Sequence, residues 1–217
     1  MTDTFGRIML DIEGKSLSEE DKFLIKNKHV GGIIFFSRNF ESYAQIKRLI
    51  IDIKNIKQNI IFAVDHEGGR VQRFKSEFTK IPSMQEISLF AKKYNNYEVF
   101  KEIAWLSSSE LVSVGIDINF APVLDLDINS SSIIGDRAFS NEAQEVIKNA
   151  SFFIDGMNEA GMSSTGKHFP GHGGVVEDSH KEVPTDNRSF NELDSGNDDL
   201  EPYRRLSKKL DAVMCAH

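Results

Sequence analysis

Short, continuously apolar runs separated by longer amphipathic stretches limit the folds open to this chain more than anything else in it. Gly-Ile-Ile-Phe-Phe at 32–36 and Ile-Ile-Phe-Ala-Val at 60–64 carry no polar side chain. A strand with one wet face alternates apolar and polar residues, so an unbroken run means burial on both faces, as in a parallel sheet covered by helices. This reading predicts strands over 7–12, 32–36, 60–64, 116–122, 162–166 and 212–216, and helices over 18–29, 42–56, 98–114, 140–159 and 198–209. The 42–56 stretch puts apolar side chains at 43, 46, 49, 50 and 53, one face of a helix. Ser18 followed by Glu19, Glu20 and Asp21 is a capped, dipole-compatible helix start.

Six strands joined by helical segments make repeated βα units, an α/β fold. A doubly wound sheet and a (β/α)8 TIM-type barrel both fit that order, and the polar motifs separate them. Asp-His-Glu-Gly-Gly-Arg at 65–70 follows the third strand, Ala-Pro-Val-Leu-Asp at 121–125 the fourth, Lys-His-Phe-Pro-Gly-His at 167–172 the fifth and Ala-His at 216–217 the sixth. Polar groups after several successive strands converge at a barrel mouth, whereas an open sheet focuses on one switch point. The expected fold is therefore a (β/α)8 barrel of which about six βα units are present. A full barrel has eight units and typically about 250 residues. Residues 1–217 thus read as a single domain whose last barrel units are missing.

Composition excludes more than it assigns. A formal charge of -7 without a concentrated basic face argues against nucleic acid as a partner. No apolar run approaches the roughly 20 residues that span a bilayer. The N-terminus lacks the basic-then-apolar pattern of a secretory signal, so a cytoplasmic location without membrane association is expected. The single cysteine, Cys215, excludes an intramolecular disulfide and is expected to be a buried small hydrophobe. Nothing in the sequence calls for a cofactor.

Between 167 and 180 the chain reads Lys-His-Phe-Pro-Gly-His-Gly-Gly-Val-Val-Glu-Asp-Ser-His, a mixture that packing does not demand. Pro170, Gly171, Gly173 and Gly174 predict a shaped loop rather than a helix or regular strand. His168 and His172 have the four-residue spacing of a helical zinc pair, but Phe-Pro-Gly between them forbids the helix, and no metal site is assigned. In Asp178-Ser179-His180 the carboxylate can accept a ring N–H from the imidazole, the arrangement of a general acid/base histidine, or the pair is a surface turn. Asp65 at a strand end, with Glu67, Arg70 and Arg73 close by, suits a polyhydroxylated ligand or an ion-pair cluster bracing a loop. Arg137 could reach the mouth or lie on the surface, and Asp125 and Asp127 could be metal ligands or loop caps, the absence of a third partner at suitable spacing favouring caps.

Taken in order, Asp-His-Glu-Gly-Gly-Arg-Val-Gln-Arg, Ala-Pro-Val-Leu-Asp, Gly-Asp-Arg-Ala-Phe, Lys-His-Phe-Pro-Gly-His-Gly, Asp-Ser-His and Ala-Val-Met-Cys-Ala-His resemble the motifs of family-3 glycoside hydrolases. The fourth and fifth resemble its bacterial β-N-acetylhexosaminidase branch, which recycles cell-wall fragments. The resemblance implies a retaining exo-hydrolase that removes terminal β-linked N-acetylglucosamine from muropeptide-derived sugars. It implies that Asp65, Arg73, Arg137, Lys167 and His168 hold the sugar, and that His180, paired with Asp178, moves the proton. The family's nucleophile is an aspartate after the seventh strand, and no matching motif occurs in residues 1–217. Asp198-Asp199-Leu200 reads instead as a helix start. Residue 66 is histidine where relatives commonly carry glutamine. A family-3 β-glucosidase, an inert sugar-binding remnant and a zinc-dependent barrel hydrolase are the competing readings.

Overall fold

The computed structural model describes residues 6–128, 133–174, 185, 189 and 198–216. Six strands, β1 (Ile8–Leu10), β2 (Val30–Phe35), β3 (Ile61–Val64), β6 (Ile118–Asn119), β7 (Ser163–Phe169) and β8 (Ala212–Cys215), form one sheet in that spatial order. Every neighbouring pair is parallel. Strand order in space equals strand order in sequence, so there is no reversal point. A doubly wound sheet has one, and the barrel reading stands. A two-stranded antiparallel hairpin, β4 (His66–Gly68) and β5 (Val71–Gln72), rises directly from the end of β3.

The helices form where the sequence offers a cap and an apolar stripe. In α1 (Glu19–Ile25) Ser18 accepts from the Asp21 amide while Asp21 reaches back to the Ser18 amide. Helix α2 (Tyr43–Ile56) starts at Ser42, which accepts from the Gln45 amide, and buries Ile46, Leu49, Ile50 and Ile53 against the sheet. Each such side chain contributes about 1.5–3 kcal/mol on leaving water. Helix α4 (Glu98–Val114) has the predicted bounds and ends at Gly115, whose φ of 103° is the left-handed cap that glycine adopts without strain. Helix α5 (Ala143–Glu159) packs along α4 with Gly156 facing the Lys101 carbonyl. The short α6 (Glu201–Leu206) begins just after Asp198 and Asp199, as the helix-start reading of those acids expects.

The structure corrects the sequence reading in four places. Helix α3 (Met84–Tyr94), with a Ser83–Glu86 capping box and Met84, Ile87 and Ala91 buried, is absent from the sequence expectation. Strand β7 continues through Lys167, His168 and Phe169 where a loop is expected, because β8 pairs with it as far as Phe169↔Cys215. The interruption falls only at Pro170 and Gly171. Cys215 is exposed rather than buried, since β8 is an edge strand of the described sheet. Asp125 is fully buried and serves as more than a loop cap.

Candidate functional site

The carboxyl ends of β2, β3, β6, β7 and β8 surround a cavity of about 370 Å³, lined by Phe36, Asp65, Phe120, Lys167, His168 and Met214 among others. That volume lies within the roughly 300–1,000 Å³ range of small-molecule sites. Asp65 is the first residue after β3 and precedes the hairpin. Gly68 and Gly69, with φ of 111° and 55°, turn the hairpin tightly, and a Cβ on Gly68 would sit 2.5 Å from the Pro82 carbonyl oxygen. Asn119 fixes the hairpin's base: its Oδ1 accepts from the His66 amide and its Nδ2 donates to the His66 carbonyl, both at 2.9 Å.

Five charged side chains meet on this frame. Lys167, 2 % exposed, donates to Asp65 Oδ1 at 2.8 Å and lies 2.5 Å from Glu67 Oε1. Arg137 donates to Glu67 through Nε and Nη2, both at 2.8 Å, a two-pronged pairing that fixes the guanidinium plane. Its Nη1 donates to the Ile133 carbonyl at 3.1 Å. Arg73 approaches Asp65 Oδ2 at 3.5 Å and stands over the Phe36 ring, 5.8 Å from its centre. Burial pushes the Glu67 carboxyl up, but the Lys167 and Arg137 charges outweigh it and hold the group at about 2. Glu67 is thus an anion at any working pH. The alternative that Arg137 sits on the surface is corrected, because its carboxylate partner buries it.

Asp125 organises the other wall. The Leu124 amide donates to the Lys167 carbonyl at 2.7 Å, tying the segment after β6 to β7 and placing Asp125 beneath His168. Asp125 accepts from the backbone amides of His168 at 3.2 Å and His172 at 2.8 Å. Its Oδ2 lies 2.6 Å from His168 Nδ1, a contact in which an Nδ1–H donates to the carboxylate and Nε2 is the ring nitrogen left for a ligand. His66 points elsewhere, packing against Phe74 and Phe78 with neither ring nitrogen hydrogen-bonded.

All five residues read from the sequence as sugar ligands, Asp65, Arg73, Arg137, Lys167 and His168, therefore border one cavity. Asp178 and His180 lie outside the described residues. Sequence reasoning named Glu67 only within a carboxylate–arginine cluster, with no role of its own, and missed Asp125 as a member of the site. Glu67 shares a motif with Asp65, and its signal is a carboxylate two residues on, which returns to the same side of an extended chain. Asp125 carries no local signal, since its partners are 43 and 47 residues away. Among the described residues, no group of three or more His, Cys, Asp or Glu side chains is arranged to hold a metal ion, and no helix is long and apolar enough to cross a membrane.

A parallel sheet in sequential order with charged side chains gathered at its carboxyl end is the arrangement of a barrel-type active-site domain. Residues 4–217 match the N-terminal domain of glycosyl hydrolase family 3, and the chain belongs to that family. It is 46 % identical over 213 residues to a β-hexosaminidase of Idiomarina loihiensis, covering 98 % of this chain and 64 % of that one. A β-hexosaminidase of Haemophilus influenzae is 45 % identical, with 97 % of this chain and 60 % of that one covered. The chain thus spans about 60–64 % of the length of these curated relatives. Among solved structures, NagZ from Neisseria gonorrhoeae in complex with N-trifluoroacetyl-D-glucosamine superimposes with a TM-score of 0.93 at 41 % identity, over 98 % of this chain and 64 % of that one. A family-3 β-N-acetylglucosaminidase from Paenibacillus gives 0.90 at 34 % identity, over 97 % and 40 %.

Proposed function

We propose that this chain carries the sugar-binding wall and the acid/base loop of a β-N-acetylhexosaminidase. The protein would act in the cytoplasm on terminal non-reducing β-linked N-acetylglucosamine of peptidoglycan-derived muropeptides. The observation that carries the reading is the Asp65–Lys167–Glu67–Arg137 network at the rim of the cavity, in a chain so similar to β-hexosaminidases. Asp65 keeps acceptor capacity for sugar hydroxyls, while Lys167, Arg73 and Arg137 donate to sugar oxygens. His168, steadied by Asp125, offers Nε2 to a further hydroxyl. A neutral, polyhydroxylated ligand supplies both donors and acceptors and so matches this set.

In this mechanism His180, with Asp178 two residues before it in the sequence as its partner, would protonate the departing glycosidic oxygen and then deprotonate the attacking water, as retention requires. The nucleophile would be supplied by a segment outside residues 1–217. Binding and turnover are therefore tested separately. Calorimetry on the 217-residue chain is expected to detect N-acetylglucosamine but not glucose, and Asp65→Ala should weaken the sugar at least tenfold. Joined to the part of the Idiomarina loihiensis relative that this chain does not span, it should hydrolyse p-nitrophenyl N-acetylglucosaminide and leave the glucoside untouched. Preference for glucose and its glycoside would turn the assignment to a β-glucosidase. Sugar binding without turnover in the joined protein would defeat the enzymatic reading.

A further inference from the structure

The charges that line the cavity nearly balance. Among the described residues, Asp65 and Glu67 face Arg73, Arg137 and Lys167, and a third carboxylate, Asp125, is buried behind His168. Glu67 occupies the centre of this set. Both of its oxygens are taken by Arg137, and one of them also by Lys167. Its side chain is 3 % exposed, against 16 % for Asp65, which holds Lys167 at 2.8 Å and Arg73 only at 3.5 Å. Asp65 can therefore turn an oxygen toward a ligand, and Glu67 cannot. Whatever Glu67 does for a ligand it does through the two cations it grips.

Building on the sugar-site reading above, we propose that Glu67 is a positioning residue that sets the charge selectivity of this cavity. It holds Lys167 and Arg137 in place and cancels one of their charges, so the site admits neutral N-acetylhexosamines and turns away sugars that carry a carboxylate. An anionic sugar entering the native site meets cations already committed, and has to sit as an added negative charge beside Asp65 and Glu67 or displace a buried, two-pronged partner. Both are costly where solvent screening is weak. A neutral sugar faces neither obstacle, because hydroxyl groups share donors without carrying charge of their own. The arrangement also explains why three cations can line a cavity without making it an anion trap.

The test compares N-acetylglucosamine with N-acetylglucosaminuronic acid, which replaces the C6 hydroxymethyl with a carboxylate and changes little else. Dissociation constants for both are measured calorimetrically on the 217-residue chain and its variants. The unaltered chain should favour the neutral sugar. Glu67→Gln, nearly isosteric and uncharged, should move the ratio toward the acid by about tenfold or more, the scale of one unit charge at short range in a partly screened site. Glu67→Asp keeps the charge and should keep the ratio, even if both affinities fall. A residue needed only for structure would weaken both sugars in proportion under Glu67→Gln, and an unchanged ratio overturns the proposal. Should that variant fail to melt cooperatively, Glu67→Gln with Arg137→Gln restores the balance and should restore the neutral preference. A double variant that favours the acid overturns the proposal equally. If the unaltered chain binds neither sugar, the sugar-site reading falls, and the proposal with it.

Discussion

His66 shows how one residue can tie stability to pH. Burial among Phe74 and Phe78, with Arg73 adding its charge, lowers the imidazole from 6.5 to about 4. As pH falls below 6.5 the unfolded chain takes up a proton that the folded chain refuses until about 4. Stability should therefore drop through that window and level off beneath it, by up to about 3 kcal/mol. His66→Gln removes the titrating group, so urea midpoints followed from about pH 7 down to about pH 4.5 should fall less steeply in the variant. Identical slopes would clear His66 of the effect. The order of the motifs is enough to name the five proposed sugar ligands, yet it leaves Glu67 an unassigned member of the Asp65 cluster and gives Asp125 no role in the site. The reason is physical: Glu67 matters through Lys167 and Arg137, 100 and 70 residues away in the chain. A pairing at that range leaves no mark on local sequence pattern.

At the scale of elements, legibility follows how local the cause is. Helices α2 and α4 are plain because their caps, stripes and terminal glycine lie within the segment itself. Helix α3 carries the same kind of signal in Ser83, Glu86 and the 84, 87, 91 stripe, but it is short, and its apolar and aromatic residues spread onto the outer face and blur the stripe. The last residues of β7 are unreadable, because a Lys-His-Phe segment becomes strand only when β8 arrives to pair with it. The α4–α5 packing gives this level its prediction. A Cβ on Gly156 would lie 2.2 Å from the Lys101 carbonyl oxygen, a backbone atom that cannot rotate away. Gly156→Ala gains up to about 1 kcal/mol of helix propensity but forces two helices apart, at about 1–3 kcal/mol. Overpacking wins, and the melting temperature should fall by roughly 2–8 °C. An unchanged or raised value would show that the helices can separate freely.

Across the whole molecule, the sheet formed by the described residues has two open edges, β1 and β8, and both present apolar side chains to solvent: Ile8, Met9 and Val213 are exposed. Unpaired edges of this kind recruit other chains. The 217-residue chain on its own should sediment faster as its concentration rises, and Val213→Lys should suppress that shift. Concentration-independent sedimentation would mean that the edges are protected in some other way. The sequential strand order that distinguishes this fold from a doubly wound one also orders events in time. On a ribosome each strand can dock onto the one made just before it, so the sheet grows outward without waiting for distant partners. The site does not share that patience. Asp65 and Glu67 emerge early, Arg137 some 70 residues later, and Lys167 last of the set. A nascent chain therefore holds Asp65 and Glu67 at the head of a finished β3 with only their arginine partners to meet until the β7 lysine bridges the two, and the pocket closes electrostatically only when synthesis has passed its fifth strand.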